Sequence, residues 1–254
     1  MLNKFIPKSV KKYIKLKLHQ GDKYICPFCN YKSKDFYPIG DDFKVNVEKQ
    51  IVGAGRRNAG CFNCGSTDRE RLIYLYLRDV VSLFNQKELS ILHLAPEKNL
   101  SQTILEHGFK EYVCGDLFTE GYSYPEHVVN MNVLNIPYGE NHFDLVICNH
   151  LLEHVENDSE AMSQILRVLK PGGKAILQVP ISKILEYTFE DFTINTNAER
   201  EQHFGQFNHV RIYGQDYLKR LENVSFQVER VNISEKYQQN GVNIDEDIFI
   251  AHKN

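Results

Sequence analysis

The sequence predicts an α/β protein: a parallel sheet with helices on both faces, joined to a small N-terminal zinc-binding domain. Three observations predict it. Phe143 to Cys148 is a short, almost wholly apolar run of the kind buried on both faces of a parallel sheet. Behind it, Ala161, Met162, Ile165, Leu166, Val168 and Leu169 recur at helical spacing. Pro171-Gly172-Gly173 then stops the helix and Ala175 to Val179 forms a second apolar run, completing a βαβ unit. Upstream, Cys26-Pro-Phe-Cys29 and Cys61-Phe-Asn-Cys64 form two CxxC pairs in a segment poor in core residues.

Composition sets the limits. At 254 residues there is room for one full α/β domain and a small appendage. A hydrophobic content of 42% and a charged content of 25% are those of an ordinary globular protein. The formal net charge of −3 argues against a protein that coats nucleic acid. No apolar run approaches the roughly 18 residues of a spanning helix. The N-terminal lysines lack the apolar core of a secretory signal. Cysteine usage suits a reducing cytoplasm with a metal site rather than a disulfide scaffold.

Residues 2–20 carry Lys4, Lys8, Lys11, Lys12, Lys15 and Lys17 among Leu2, Phe5, Ile6, Val10, Tyr13, Ile14 and Leu16. This pattern reads as a basic amphipathic helix. It either docks on its own domain with solvated lysines or lies as a peripheral contact on the anionic inner membrane surface. Residues 21–66 read as a zinc ribbon. Four thiolates, Cys26, Cys29, Cys61 and Cys64, offer a closed tetrahedral set for a structural Zn2+, and Phe36 to Val47 can supply a hairpin. The chain from residue 67 onward forms the second domain. Its opening helix, Asp68 to Leu83, presents Arg69, Glu70 and Arg71 either to a ligand or, as the favoured reading, as a solvated start, and Asp158 or Ser159 is expected to cap the helix after Cys148.

Over residues 88–254, and most specifically in FDLVICNHLLEHV and RVLKPGG, the chain resembles the class I S-adenosylmethionine-dependent methyltransferases that carry a type 11 methyltransferase domain. The resemblance implies a Rossmann-like seven-stranded methyltransferase sheet, with S-adenosylmethionine as cofactor. Ser90 to Ala95 is then the first strand. Its cofactor turn falls on Leu94, Ala95, Pro96 and Glu97. The family's acid and GxGxG turn are replaced here by His93 and by Ala95-Pro96-Glu97-Lys98-Asn99, and Glu97 is a candidate partner for the cofactor's amino group or sulfonium. Glycines matter at such a turn because the backbone approaches the ligand in conformations that side chains disfavour. Asp116, followed by Leu117, takes the ribose hydroxyls, Asn132 the adenine amino group, and Val133 the adenine ring face. Asn149 and His150 take further cofactor contacts.

The loop Asn149 to His154 leaves the carboxyl end of its strand, where open α/β sheets bind ligands. Glu153 and His154 can face a reaction chamber. An insert at 181–213 reads as a substrate cover in which Glu190, Asp191, Arg200, His203, His209, Arg211 and Tyr213 can recognise a polar group, with His209 favoured over His203. His150, His154 and His209 are the candidate bases. Ser225 to Ile233 and Ile248 to Ala251 form an antiparallel edge hairpin joined by a solvated Asp245-Glu246-Asp247 linker. The resulting expectation is O-methylation of a polar acceptor such as a sugar in a surface glycan or its precursor. RNA is the rival acceptor, and a non-catalytic docking module is the alternative if the altered turn no longer binds cofactor.

Overall fold

The computed structural model describes residues 7–121 and 123–254, so residues 2–6 of the expected basic helix lie outside the described residues. The N-terminal unit runs α1 (Lys8–His19), β1 (Gln20–Ile25), β2 (Lys32–Ser33), β3 (Tyr37–Ile39), α2 (Lys44–Glu48), β4 (Ile51–Val52) and β5 (Arg57–Gly60). Strand β3 pairs with β5, so the hairpin expected over 36–47 is instead a short strand followed by α2. The remainder runs α3 (Asp68–Leu75), β6 (Ser90–Leu94), α4 (Lys98–His107), β7 (Glu111–Asp116), β8 (Val128–Asn130), β9 (Phe143–Asn149), α5 (Asp158–Val168) and β10 (Leu169–Gln178). The insert and closing hairpin follow as β11 (Ile181–Ser182), β12 (Phe189–Glu190), α6 (Asn197–Phe204), β13 (Arg211–Ile212), α7 (Tyr217–Asn223), β14 (Gln227–Val231) and β15 (Ile248–His252).

Seven strands form one Rossmann-like sheet in the order β14-β15-β10-β9-β6-β7-β8. Strands β10, β9, β6, β7 and β8 are parallel, and β15 and β14 close the edge antiparallel, as the sequence predicts. The order reverses between β6 and β9, which marks the crevice where such sheets take ligands. Each face has its own core. Ala161, Met162, Ile165 and Val168 of α5, with Tyr217 and Leu221 of α7, cover one face. Leu72, Ile73 and Leu75 of α3, with Leu100 and Ile104 of α4, cover the other. Helix α5 is capped by Asn157, which accepts from the Glu160 N–H, so Asp158 stands inside the first turn rather than at the cap.

The two units are laced together. Ile181 and Ser182 of β11 pair with Val52 and Ile51 of β4. Arg71 is fully buried, and its guanidinium donates to the carbonyls of Ser66, Asn240 and Gly241. Glu70 is buried too. It closes a capping box with Thr67 and accepts from the Asn99 and Leu100 N–H groups at the start of α4. The start of α3 is therefore a joint, and the expected solvation of Glu70 and Arg71 fails because the two units meet there. At the other end of the chain, α1 buries none of its residues and exposes Val10, Tyr13, Ile14 and Leu18. Its later turns are tied down by Tyr31 Oη donating to the Leu16 carbonyl, by His19 stacked on Phe62, and by Lys15 over the Tyr37 and Phe62 rings.

Candidate functional site

The four cysteines converge. Cys26 Sγ lies 3.6 Å from Cys64 Sγ, and Cys29 Sγ lies 3.7 Å from Cys61 Sγ. A tetrahedron with metal–sulfur bonds of about 2.3 Å has edges of about 3.8 Å, whereas a disulfide would require about 2.05 Å. The set therefore fits a tetrahedral zinc ion. Both knuckles turn alike. Asn30 N–H bonds to the Cys26 carbonyl and Gly65 N–H to the Cys61 carbonyl, and Asn30 and Gly65 both have positive φ. Ser66 Oγ lies 3.3 Å from both Cys26 Sγ and Cys64 Sγ, placed to donate to one of them.

A second cluster occupies the carboxyl ends of β6, β7 and β9. Ala95 continues the ladder by donating to the Gly115 carbonyl, then turns at φ +49°, the left-handed conformation that a glycine would ordinarily supply. His150 does the same after β9, donating its N–H to the Gln178 carbonyl at φ +53°. Two non-glycine residues in this region on adjacent strand ends are local strain of the type that collects at functional sites. The missing acid of the first strand is also supplied another way. His93, buried in β6, holds Tyr112 Oη at 2.8 Å on one side and Glu97 Oε2 at 2.9 Å on the other. Asn149 Nδ2 donates to Glu97 Oε1 at 3.0 Å. Burial works against the Glu97 charge, but the hydrogen bond and charge of His93 overcome it and hold the carboxyl below its usual range.

These residues fit S-adenosylmethionine. Asn149 Oδ1 is buried and finds no hydrogen-bond partner among the described residues. Asp116 is pushed up by burial and, among the described residues, has only the Leu117 N–H to relieve it, which suits a carboxylate open to hydroxyl donors. Leu117 and Phe118 stand exposed beside it. Val133 is buried in the core, while Leu94 closes the floor of the turn and Pro96 carries the chain toward Glu97. Asn132 Oδ1 accepts from its own Leu134 N–H, which leaves its second lone pair for a ligand.

The three candidate histidines share one cavity of about 170 Å³ with Glu153, Arg57, Arg69 and Gly53. His150 Nδ1 lies 3.5 Å from Glu153 Oε1, and His150 Nε2 lies 4.0 Å from Glu246 Oε1. The rings of His154 and His209 meet edge to face at 4.7 Å. Burial pushes His209 down to about 3 and lowers His150 and His154, so neutral imidazoles line the cavity. Burial pushes Glu153 and Glu246 up to about 8. Glu246, read from sequence as solvated, is buried here, because the 241–247 segment folds back over the strand ends.

The insert delivers His209 and keeps the rest out. Glu190, Arg211 and Tyr213 are engaged in a structural network: Arg211 is buried and donates to Glu190 and to the Leu152 and Glu156 carbonyls, and Tyr213 Oη donates to Asp158. His203 is exposed on α6, Arg200 donates to the Ile194 carbonyl, and Asp191 accepts from Thr193. None of these reaches the cavity. Sequence reasoning missed Gly53, Arg57 and Glu246, and it ranked the ligand-facing reading of Arg69, which lines the cavity, below a solvated one. Arg57 forks onto Asp68 at 2.6 and 2.8 Å, and Arg69 donates to the Gly53 carbonyl.

Gly53 packs closely against His150. Its φ is +84°, and a Cβ there would stand 3.3 Å from His150 Cε1. Gly53→Ala is expected to cost about 1–3 kcal/mol through backbone strain alone. A thermal melt should show a fall of several degrees, and an unchanged midpoint would contradict the placement of Gly53.

Residues 99–177 match a family described as a methyltransferase domain. An uncharacterized protein of Methanocaldococcus jannaschii is 44% identical over 71 residues, covering 27% of this chain and 31% of that protein. The ubiquinone/menaquinone biosynthesis C-methyltransferase UbiE of Psychromonas ingrahamii is 31% identical over 111 residues, 37% of this chain and 43% of that protein. The chain thus spans less than half the length of these curated relatives. Among solved structures, the cyclase SpnF superposes with a TM-score of 0.50 at 15% identity, over 72% of this chain and 81% of that one, a likeness of fold alone. The likeness to a methyltransferase domain thus falls on the part of the chain that spans α4 to β10 of the Rossmann-like sheet.

Proposed function

We propose that this protein is an S-adenosylmethionine-dependent methyltransferase that methylates an oxygen of a polar acceptor, such as a sugar hydroxyl of a surface glycan or its precursor. The observation that carries this reading is the polar cavity of His150, Glu153, His154, His209 and Arg69 at the strand ends, next to the Ala95–Glu97 turn. S-adenosylmethionine, when bound, supplies an electrophilic methyl group on a sulfonium. The residues of the chain orient and take a proton. Glu97, Asp116, Asn132 and Asn149 hold the donor. His150 is the proton acceptor, because it is neutral and neither of its ring nitrogens is hydrogen-bonded among the described residues. Arg69 stands on the cavity rim, where it can hold a polar or anionic part of the acceptor. The UbiE relatives are named as C-methyltransferases of quinone biosynthesis, but a cavity lined by imidazole, carboxylate and guanidinium favours a polar acceptor over a quinone ring. The four cysteines hold a structural zinc.

Calorimetric titration with S-adenosylmethionine and S-adenosylhomocysteine tests the reading. Micromolar binding, roughly −8 kcal/mol, is expected, followed by transfer of labelled methyl to a glycan acceptor. Absence of binding to both would leave the docking-module alternative. One observation favours RNA as a second acceptor: an open groove lined by Lys11, Lys12, Lys15, Tyr37 and Phe62 offers cations and aromatic faces together. Methylation of RNA with steep salt dependence would support it.

The exposed apolar side chains of α1 beside its lysines support a peripheral contact with an anionic membrane at the cytoplasmic face. Deleting residues 1–20 is expected to abolish sedimentation with vesicles rich in phosphatidylserine. Unaltered partitioning would remove the helix from that role.

A further inference from the structure

Glu153, His154 and His209 hold more than a base requires. One ligand atom from each, a carboxylate oxygen and two imidazole nitrogens, lies within 4.8 Å of the others. Each histidine is also aimed. His154 Nδ1 lies 3.2 Å from the Asn208 carbonyl, so that nitrogen carries the hydrogen and Nε2 keeps its lone pair, 4.0 Å from Glu153 Oε1. The Phe204 carbonyl faces the His209 ring from one side, and that ring meets His154 edge to face at 4.7 Å. A second N–H tied to a backbone carbonyl is the arrangement that orients histidines on metal ions. Glu153 is 2% exposed at the side chain, and its Oε2 is buried with no hydrogen-bond partner among the described residues. A buried carboxylate oxygen without a donor calls for a cation.

The backbone holds this set rigidly. Val210 N–H donates to the Glu153 carbonyl at 3.0 Å, fixing the insert to the loop after β9. Arg211 clamps the same loop from below through the Leu152 and Glu156 carbonyls. The ligands come from two segments about 55 residues apart, yet each is pinned within one or two residues of a main-chain bond.

We infer that Glu153, His154 and His209 bind one divalent transition-metal ion whose remaining coordination positions open into the cavity and take an oxygen donor of the methyl acceptor. Two imidazoles and one carboxylate suit Zn2+, Fe2+ or Co2+ and leave at least one position open, whereas Mg2+ and Ca2+ prefer oxygen-only sets. This ion is distinct from the cysteine-bound zinc, whose four sulfur ligands leave no position free. His150 stands next to the site, its Nδ1 3.5 Å from Glu153 Oε1 and neither ring nitrogen hydrogen-bonded among the described residues. Only the identity of what fills the open position rests on the methyl-transfer reading.

The test uses full-length protein with zinc already on its cysteines, titrated with Co2+. One further equivalent is expected, with the visible absorption of nitrogen and oxygen ligation and without thiolate charge transfer. Glu153→Gln and His209→Asn are each expected to weaken it at least tenfold, while His203→Asn, on the exposed face of α6, leaves it unchanged. Retained cysteine zinc and an unaltered far-ultraviolet spectrum show that the variants fold. No further equivalent in the wild-type protein, or an affinity indifferent to both substitutions, overturns the site. Titration of the same sample with S-adenosylmethionine separates the two readings. Cofactor binding without the second metal overturns the metal site and leaves methyl transfer standing. Cobalt uptake without cofactor binding supports the metal site and removes the acceptor from it.

Discussion

Cys61→Ser is expected to abolish the zinc binding proposed for the four cysteines and lower the melting temperature by at least about 10 °C, or leave the protein aggregated. Cys61 is 1% exposed and belongs to a core that otherwise consists of little more than Cys26 and Phe36. So small an apolar cluster cannot offset the entropy of ordering its loops. Structural zinc in small domains contributes an apparent 10–16 kcal/mol, comparable to the whole stability of an ordinary domain. The damage should travel. The unit supplies Val52 to the β4–β11 pair, Gly53 and Arg57 to the cavity, and the Ser66 carbonyl to buried Arg71. Losing even 3–5 kcal/mol of this in a chain of 254 residues corresponds to roughly 10 °C. Metal analysis and a thermal melt on one preparation check it. Zinc loss with an unchanged melt would show that the cysteines hold no structure.

Asp116→Ala is expected to weaken S-adenosylmethionine binding more than tenfold with little change in the melt. The carboxylate ends β7 and, among the described residues, takes only the Leu117 N–H. Its removal therefore breaks almost nothing within the fold. With cofactor present, two hydroxyl donors to one carboxylate are charge-assisted, and tenfold corresponds to about 1.4 kcal/mol, less than the sum such bonds supply. Asp116→Asn keeps one acceptor and should fall between the two. Calorimetry reads both variants directly, and wild-type affinity in Asp116→Ala would place the ribose elsewhere.

Much of this was legible in the chain because it is local. The apolar run at Phe143–Cys148 and the spacing of Ala161 to Val168 fix the βαβ unit, and the CxxC pairs fix the cysteine cluster. The gathering of His150, His154 and His209 was also readable, since the insert must return beside the strand it leaves. What pattern could not give is the far side of each contact. Arg57, Arg69 and Glu246 reach the cavity through pairings between distant segments, and a lone charged residue looks the same whether it meets water or a buried partner. Ala95 misled for another reason. Composition shows which residues take positive φ easily, not which are forced into it by a ladder bond to Gly115 on one side and the Glu97 turn on the other. The cap at Asn157 was missed by one residue because Asn, Asp and Ser stand in a row and each can cap.

The pairing of β4 with β11 also sets an order of assembly. The four cysteines leave the ribosome within one short stretch, so a metal can close the knuckles while the sheet does not yet exist. Val52 must then wait for Ile181, about 130 residues later, on the order of ten seconds at ordinary synthesis rates. Until then the cavity has one wall. Histidines, glutamates and the strained turns at Ala95 and His150 meet only when the insert arrives, so the site is among the last parts of the molecule to form. A nascent chain halted before β11 would carry all four cysteines but lack His209 and the pairing that closes the cavity.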